Sequence, residues 1–255
     1  MGTIVVTGAA GGIGNATRAR LEADGHRVIG VDVRDAEIIA DLGAPAGRAA
    51  MVEAVAQASG GALDGLVAGA GIMGEDPAVV SVNYFGAVAT LTGLRPLLAR
   101  SGNASAVAIS SNSTTTQPAL PGAFVDACLS GDEDAARAYA KTDGFSAYAA
   151  SKLALARWVR RAAVTPEWIG SGVRLNAIAP GLVATPMTEG SMDFILGLGD
   201  VYPIPIARPG QPEEIANLLA FLLSAQATLF CGSVIFVDGG SDAAVRADDW
   251  PAVRR

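Results

Sequence analysis

Short runs of Val, Ile, Leu and Ala recur along this 255-residue chain without the in–out alternation of a sheet that faces water on one side. Such strands are buried on both faces, and a mostly parallel sheet covered by helices is what buries them. The runs are Thr3–Thr7, Arg27–Asp32, Leu63–Ala68, Ser105–Ser110, Gly172–Ile178 and Ser233–Val237. Helix-length segments lie between them: Gly12–Ala23, Gly47–Ser59, Pro77–Arg100, Ser146–Val164 and Pro212–Ser224. The last of these opens with Pro and two glutamates, which suits a helix N-terminus. No repeat, low-complexity tract or linker divides the sequence. The expected fold is therefore α/β, a doubly wound parallel sheet with helices on both faces, in a single domain over residues 1–255.

Two stretches break this rhythm. Residues 112–147 run from SNSTTTQPALPG through an acidic patch, Asp132-Glu133-Asp134, to Asp143-Gly144. Residues 182–207 carry Pro186, Pro203 and Pro205 among Met187, Met192, Phe194, Ile195, Leu196 and Tyr202. Long irregular segments inside an α/β domain are commonly lids or binding loops. Both leave the carboxyl end of a strand, where open parallel sheets bind their ligands. The first is expected to form a lid-like insertion and the second a substrate loop. The tail from Ser241 to Arg255, with Trp250-Pro251, either folds over the same crevice or frays.

Composition excludes several kinds of function. A net charge of −7 argues against nucleic acid or an anionic membrane as partner. Cys128 and Cys231 have neither CxxC nor metal spacing, and with His26 as the single histidine no metal site is expected. The same count removes Ser-His-Asp catalysis away from His26. No run reaches the roughly 18 apolar residues of a membrane span, and the run from Ile4 to Gly8 lacks the basic flank of a signal peptide. A soluble, cytoplasmic protein is expected.

The loop after the first strand reads Thr7-Gly8-Ala9-Ala10-Gly11-Gly12-Ile13-Gly14. Glycines allow a tight turn and let backbone amides approach a pyrophosphate. Glycine-rich turns are common, so the loop alone says little. Here it follows a strand, opens a helix, and precedes Asp32, which ends the second strand 18 positions past Gly14. That context is the dinucleotide-binding one. An aspartate there accepts hydrogen bonds from the adenosine ribose hydroxyls and repels a 2′-phosphate, so NAD is favoured over NADP. Val33 follows Asp32, and Arg34 comes one residue later.

Tyr148-Ala-Ala-Ser-Lys152 sets a phenol and an ammonium four apart, on one face of the expected helix. A cation beside a phenol favours the phenolate, which tunes it for acid/base work. YxxxK is frequent by chance, but Lys141 and Lys152 are the only lysines among 18 basic residues.

TGAAGGIG, Asp32, Asn83 in SVNYFG, the ISS ending at Ser111, YAASK and NAIAPG together resemble the short-chain dehydrogenase/reductase family, over nearly the whole chain. The resemblance implies a Rossmann-like domain and hydride transfer between a nicotinamide and a carbonyl/alcohol pair. By motif position, Tyr148 would be the general acid/base, and Ser111, the second serine of its pair, would hold the substrate oxygen. Lys152 would bind the nicotinamide ribose and depress the tyrosine pKa, while Asn83 would position a relay water. The cofactor contacts implied are Gly8, Gly12, Ile13, Gly14, Asp32, Gly71, Lys152, Val183 and Thr185, with Asp41 and Leu42 near the adenine.

Three departures refine the resemblance. The family's NNAG reads Ala68-Gly69-Ala70-Gly71, so a strand-to-strand tie is missing. Only 12 positions separate Gly71 from Asn83, fewer than usual, whereas 37 separate Ser111 from Tyr148, more than usual. With GHRVIGVDVRDAEIIADL and LDGLV, this spacing is similar to that of the bacterial 3α-hydroxysteroid dehydrogenase/carbonyl reductase branch. The branch implies an apolar cyclic or aromatic alcohol, secondary or primary, and its carbonyl. Coniferyl-alcohol- or terpenol-type dehydrogenation, a dinucleotide binder without turnover and, least of all, a sugar-nucleotide epimerase are the alternatives. The resemblance implies a homo-oligomer, a dimer built on Leu218–Leu223 and Val234–Val237 being expected ahead of a tetramer.

Overall fold

The computed structural model describes residues 1–249. Its strands are β1 (Thr3–Thr7), β2 (Arg27–Asp32), β3 (Ile38–Ile39), β4 (Gly65–Ala68), β5 (Ala104–Ile109), β6 (Val173–Pro180) and β7 (Val234–Val237). They form one sheet in the order β3-β2-β1-β4-β5-β6-β7, and every pairing is parallel. The chain winds outward from β1 to β3, then returns and winds the other way from β4. The switch point thus lies between β1 and β4, which opens a crevice at their carboxyl ends.

Helices cover both faces. One face carries α1 (Gly12–Ala23) and α10 (Pro212–Leu223), whose Leu21, Ile215 and Leu219 pack on Ile4, Val6 and Val107. The other carries α2 (Pro45–Ala58), α4 (Ala87–Ala99) and α8 (Gly144–Ala162). Their Met51, Leu94 and Leu155 lie over Val5, Leu66, Ala106 and Ala108. Along β5 the residues on this second face are Ala104, Ala106 and Ala108, small enough for the covering helices to come close. The single-domain, doubly wound α/β expectation is met.

The differences lie between strands. The expected helix at 77–100 is interrupted: α3 (Ala78–Val80) passes into a π turn, Ser81–Gly86, before α4 begins. The segment 112–147 is mostly helical rather than irregular, with α5 (Ser113–Thr116), α6 (Gly122–Ser130) and α7 (Glu133–Thr142). Phe124, Val125, Cys128, Ala136 and Ala140 bury α6 and α7 in the core, and α7 packs against α3, α8 and the π turn. The acidic patch is the start of α7, where the Asp132 carboxylate accepts from the Ala135 amide at 2.9 Å.

Residues 182–207 do form a mostly irregular excursion, holding the short α9 (Met192–Leu196) and two 3-10 turns, Glu189–Ser191 and Gly199–Val201, and exposing Phe194 and Val201 at 72% and 75%. The tail forms α11 (Ser241–Val245), whose Asp242 accepts from the Thr115 hydroxyl at 2.6 Å. That places its start beside the crevice; Trp250-Pro251 lies outside the described residues. Among the described residues no helix is long and apolar enough to cross a membrane.

Candidate active site

The glycine loop is as tight as its sequence demands. Gly8 has a left-handed φ of +73°, and a Cβ on Gly14 would stand 2.0 Å from the Gly8 carbonyl oxygen. A Cβ on Gly12 would meet Thr185 at 2.7 Å, so the 182–207 segment closes directly on the turn. No side chain caps α1, whose first intrahelical amide bond runs from Asn15 to Gly11. Amides at a helix N-terminus without intrahelical partners bind phosphate readily. The residues present therefore fit a dinucleotide.

Asp32 ends β2 beside this loop. Its carboxylate accepts from the Ala10 amide at 3.0 Å and from the Val33 amide at 2.7 Å. Farther along, Asp41 accepts from the Gly43 amide at 2.8 Å. Leu42 is only 4% exposed and packs in the core, so the expected pair near the adenine divides into an exposed carboxylate and a buried anchor. Val183 pairs with Gly210 and is buried, and its carbonyl accepts from the Thr188 hydroxyl at 2.6 Å. The strand-to-strand tie absent from the family's asparagine motif is supplied instead by Thr7, whose hydroxyl accepts from the Gly69 and Ala70 amides at 3.1 and 3.2 Å.

Four residues gather on the other side of the switch point. Tyr148 lies near the start of α8 and Lys152 one turn later, its Nζ 5.8 Å from the centre of the tyrosine ring. Lys152 is 4% exposed and donates from Nζ to the Ile109 carbonyl at 2.8 Å. The two serines at the end of β5 divide their tasks. The Ser110 hydroxyl donates to the Lys152 carbonyl at 2.9 Å, which fastens α8 to the sheet. The Ser111 hydroxyl interacts with the Tyr148 phenol instead. A Cβ on Gly71 would sit 3.2 Å from Asn83 Oδ1 and 3.4 Å from Lys152 Nζ, so these three residues share one small space.

The electrostatics depart from expectation in one respect. Burial pushes the half-buried Tyr148 phenol upward, Ser111 pulls it down less strongly, and Tyr202 adds to the rise. The depression expected from Lys152 is not found. Burial also brings the Lys152 ammonium down to about 8, so the same cause pushes both groups toward their neutral forms. The Asn83 side chain is held by its neighbour: its Oδ1 accepts from the Ile72 amide at 2.9 Å and its Nδ2 donates to the Ile72 carbonyl at 3.0 Å. These bonds fix a side chain of the π turn, a device that recurs at functional sites, against the Ile72 backbone.

One group escaped the sequence reading. Asn112 Nδ2 lies 2.8 Å from the Tyr202 hydroxyl and 3.4 Å from Asp238 Oδ2, and the same hydroxyl donates to Asn112 Oδ1 at 3.0 Å. This ties the 182–207 segment to the ends of β5 and β7. Tyr202 was visible in the proline-rich stretch, but no spacing pairs it with Asn112. Among the described residues no group of three His, Cys, Asp or Glu could hold a metal ion.

A phenol, an amine and a hydroxyl clustered beside a dinucleotide cradle suit the exchange of a proton and a hydride at a carbonyl, the work of a nicotinamide-linked oxidoreductase. Comparison with known proteins narrows the class. Residues 2–123 match the family model described as short chain dehydrogenase, and residues 134–242 match one described as Enoyl-(Acyl carrier protein) reductase. The 3-alpha-hydroxysteroid dehydrogenase/carbonyl reductase of Comamonas testosteroni is 40% identical over 96% of this chain and 98% of its own. A 3-alpha-hydroxysteroid dehydrogenase from Pseudomonas sp. B-0831, solved with NADH, is 41% identical with a TM-score of 0.86, covering 97% of this chain and 100% of that one. Levodione reductase, a solved structure 29% identical, covers 95% of this chain and 98% of that one with a TM-score of 0.74. The chain belongs to the short-chain dehydrogenase/reductase family, as its motifs implied.

Proposed function

We propose that this oxidoreductase interconverts an apolar cyclic or aromatic alcohol, 3α-hydroxysteroid-like, and its carbonyl, with NAD as the hydride carrier. The observation that carries the reading is the grouping of Ser111, Tyr148 and Lys152 beside Gly71 and Asn83, at the open end of the sheet. Gly8, Gly12, Ile13 and Gly14 would hold the pyrophosphate, Asp32 the adenosine ribose, Asp41 and Leu42 the adenine side, and Gly71, Val183, Thr185 and Lys152 the nicotinamide half. When bound, the nicotinamide supplies the hydride acceptor or donor.

The protein supplies the rest. Ser111 orients the substrate oxygen, and Tyr148, held protonated by its burial, delivers a proton to that oxygen in reduction and takes it back in oxidation. Lys152, buried and near its titration point, passes the proton onward along the Asn83 turn. Asp32 puts a negative charge where a 2′-phosphate would lie, which supports NAD over NADP. The apolar residues Phe194, Leu196 and Val201 on the substrate loop support an apolar substrate, as do the names of the relatives.

A homodimer across α10 and the edge strand β7 is part of the same proposal, with a tetramer the alternative, and so is a cytoplasmic site of action. The deciding experiment follows reduction of NAD and of NADP against 3α-hydroxysteroids, coniferyl-type alcohols and cyclic terpenols. NAD-linked turnover confined to the first group is expected. Turnover confined to one of the others would move the substrate assignment. Silence throughout, with NADH still bound, would favour a dinucleotide binder without turnover.

A further inference from the structure

Arg48 is a heavily engaged cation that stands outside the proposed catalytic group. It is 9% exposed on α2. Its Nε donates to the Leu42 carbonyl at 2.7 Å. One terminal nitrogen donates to the carbonyls of Gly43 and Ser81 at 3.1 and 3.0 Å. Both terminal nitrogens grip the Glu133 carboxylate, at 2.7 and 2.8 Å. The guanidinium carbon lies 5.9 Å from the centre of the Phe85 ring. Nε and both terminal nitrogens of the planar fork are engaged at once, which is a geometry lysine lacks.

These partners come from three separate parts of the chain. Leu42 and Gly43 belong to the loop assigned to the adenine, Ser81 and Phe85 to the π turn that carries Asn83, and Glu133 to α7 in the inserted segment. Two glycines serve the same loop. A Cβ on Gly47 would stand 2.0 Å from the Asp41 carbonyl oxygen, and one on Gly86 would stand 2.8 Å from that of Leu42. Two glycines and a buried arginine thus converge on residues 41–43 and draw them against the π turn. Arg137, also on α7, donates to the Ser81 hydroxyl at 2.8 Å and strengthens the same junction.

We infer that Arg48, locked by Glu133, is a positioning residue that fixes the adenine loop against the catalytic π turn. The inserted segment is then a brace for the cofactor pocket. A bidentate carboxylate keeps the guanidinium from swinging away from its three carbonyls, and the charge it carries makes each of those bonds stronger than a neutral one. Without that lock the loop loses its fixed shape, and the dinucleotide must order it on binding. The inference rests on the assignment of residues 41–43 to the adenine.

The test is equilibrium binding of NADH and of ADP-ribose to the full chain and to Glu133→Gln, with Asp134→Asn as a control. Asp134 is exposed on the same helix, so its variant removes the same formal charge without touching Arg48. Glu133→Gln is expected to raise both dissociation constants roughly tenfold, equivalent to about 1.4 kcal/mol. It should raise the KM for NAD while leaving the KM for the alcohol unchanged, a split that general loosening of the fold would not produce. Asp134→Asn should match the parent. If Glu133→Gln does not fold, Arg48→Lys is measured in its place, with the same rise expected because lysine cannot hold the fork. Unchanged affinity for ADP-ribose in a folded variant would refute the brace alone. Failure of the unaltered protein to bind either ligand would overturn the dinucleotide reading, and the brace with it.

Discussion

Replacing Lys152 by methionine should make the protein more stable and inactive at once. Folding buries the Lys152 ammonium and lowers its pKa from 10.5 to about 8. At about 1.4 kcal/mol per pH unit, the buried charge costs folding about 3 kcal/mol at neutral pH. Methionine has a similar length and no charge, so it removes that cost. It also leaves the Ile109 carbonyl without the bond now made at 2.8 Å, a loss of about 1 kcal/mol. The net expectation is a gain of about 2 kcal/mol near pH 7.

The pH dependence is the sharper test. Because the folded pKa lies below the unfolded one, the unfolded chain binds more protons between about 8 and 10.5. The parent therefore gains stability with rising pH across that window, and the cost is absent above it. Lys152→Met has no such group. Its advantage should be full below about pH 8, shrink through the window, and become a deficit of about 1 kcal/mol beyond 10.5. Urea unfolding of both proteins at a series of pH values measures the difference, in which all other titrating groups cancel. A difference that stays flat with pH, or a destabilised variant at pH 7, would refute the argument.

Other expectations concern catalysis and selectivity. Tyr148→Phe should abolish turnover yet keep NADH affinity close to the parent's in a fluorescence titration; full activity would remove the phenol from the mechanism. Asp32→Ala should erode the preference for NAD over NADP in steady-state kinetics, and an unchanged ratio would take that residue out of its role. Tyr202→Phe cuts the tie between the substrate loop and Asn112. The KM for the alcohol should rise about threefold to tenfold, the worth of one net hydrogen bond. The KM for NAD should hold; equal rises in both constants would count against a role confined to the substrate side.

The sheet was legible because buried parallel strands write themselves as unbroken apolar runs, and six of the seven were read that way. The exception, Ile38–Ile39, pairs through only two residues and has no run to show. The proposed catalytic group was legible for another reason: Ser111, Tyr148 and Lys152 sit in short motifs that survive without a view of the fold. What escaped were features made by distant partners. Asn112 and Tyr202 are 90 positions apart, and Arg48 and Glu133 are 85 apart. The helices within residues 112–147 were hidden differently. Asp132-Glu133-Asp134 after Gly131 is a helix start, with Gly131 at φ +82° ending the helix before it. Read as bare charge, the same residues looked like a solvated loop. The direction of the Tyr148 pKa shift could not be read at all, since it depends on how deeply two side chains are buried.

The π turn at Ser81–Gly86 carries a consequence for how this chain can change over time. An α-helix advances by about 100° per residue, so the wider turn resets the phase between the Val79-Val80 face and the face bearing Leu91 and Leu94. Deleting one residue there would restore ordinary helical hydrogen bonding and look harmless by any local measure. It would also rotate everything on one side of the deletion by that angle. Either the core leucines or Asn83, with its place against Gly71 and Lys152, would face the wrong way. The segment is therefore closed to a change in length, and its six residues act as a phase lock between the hydrophobic core and the crevice.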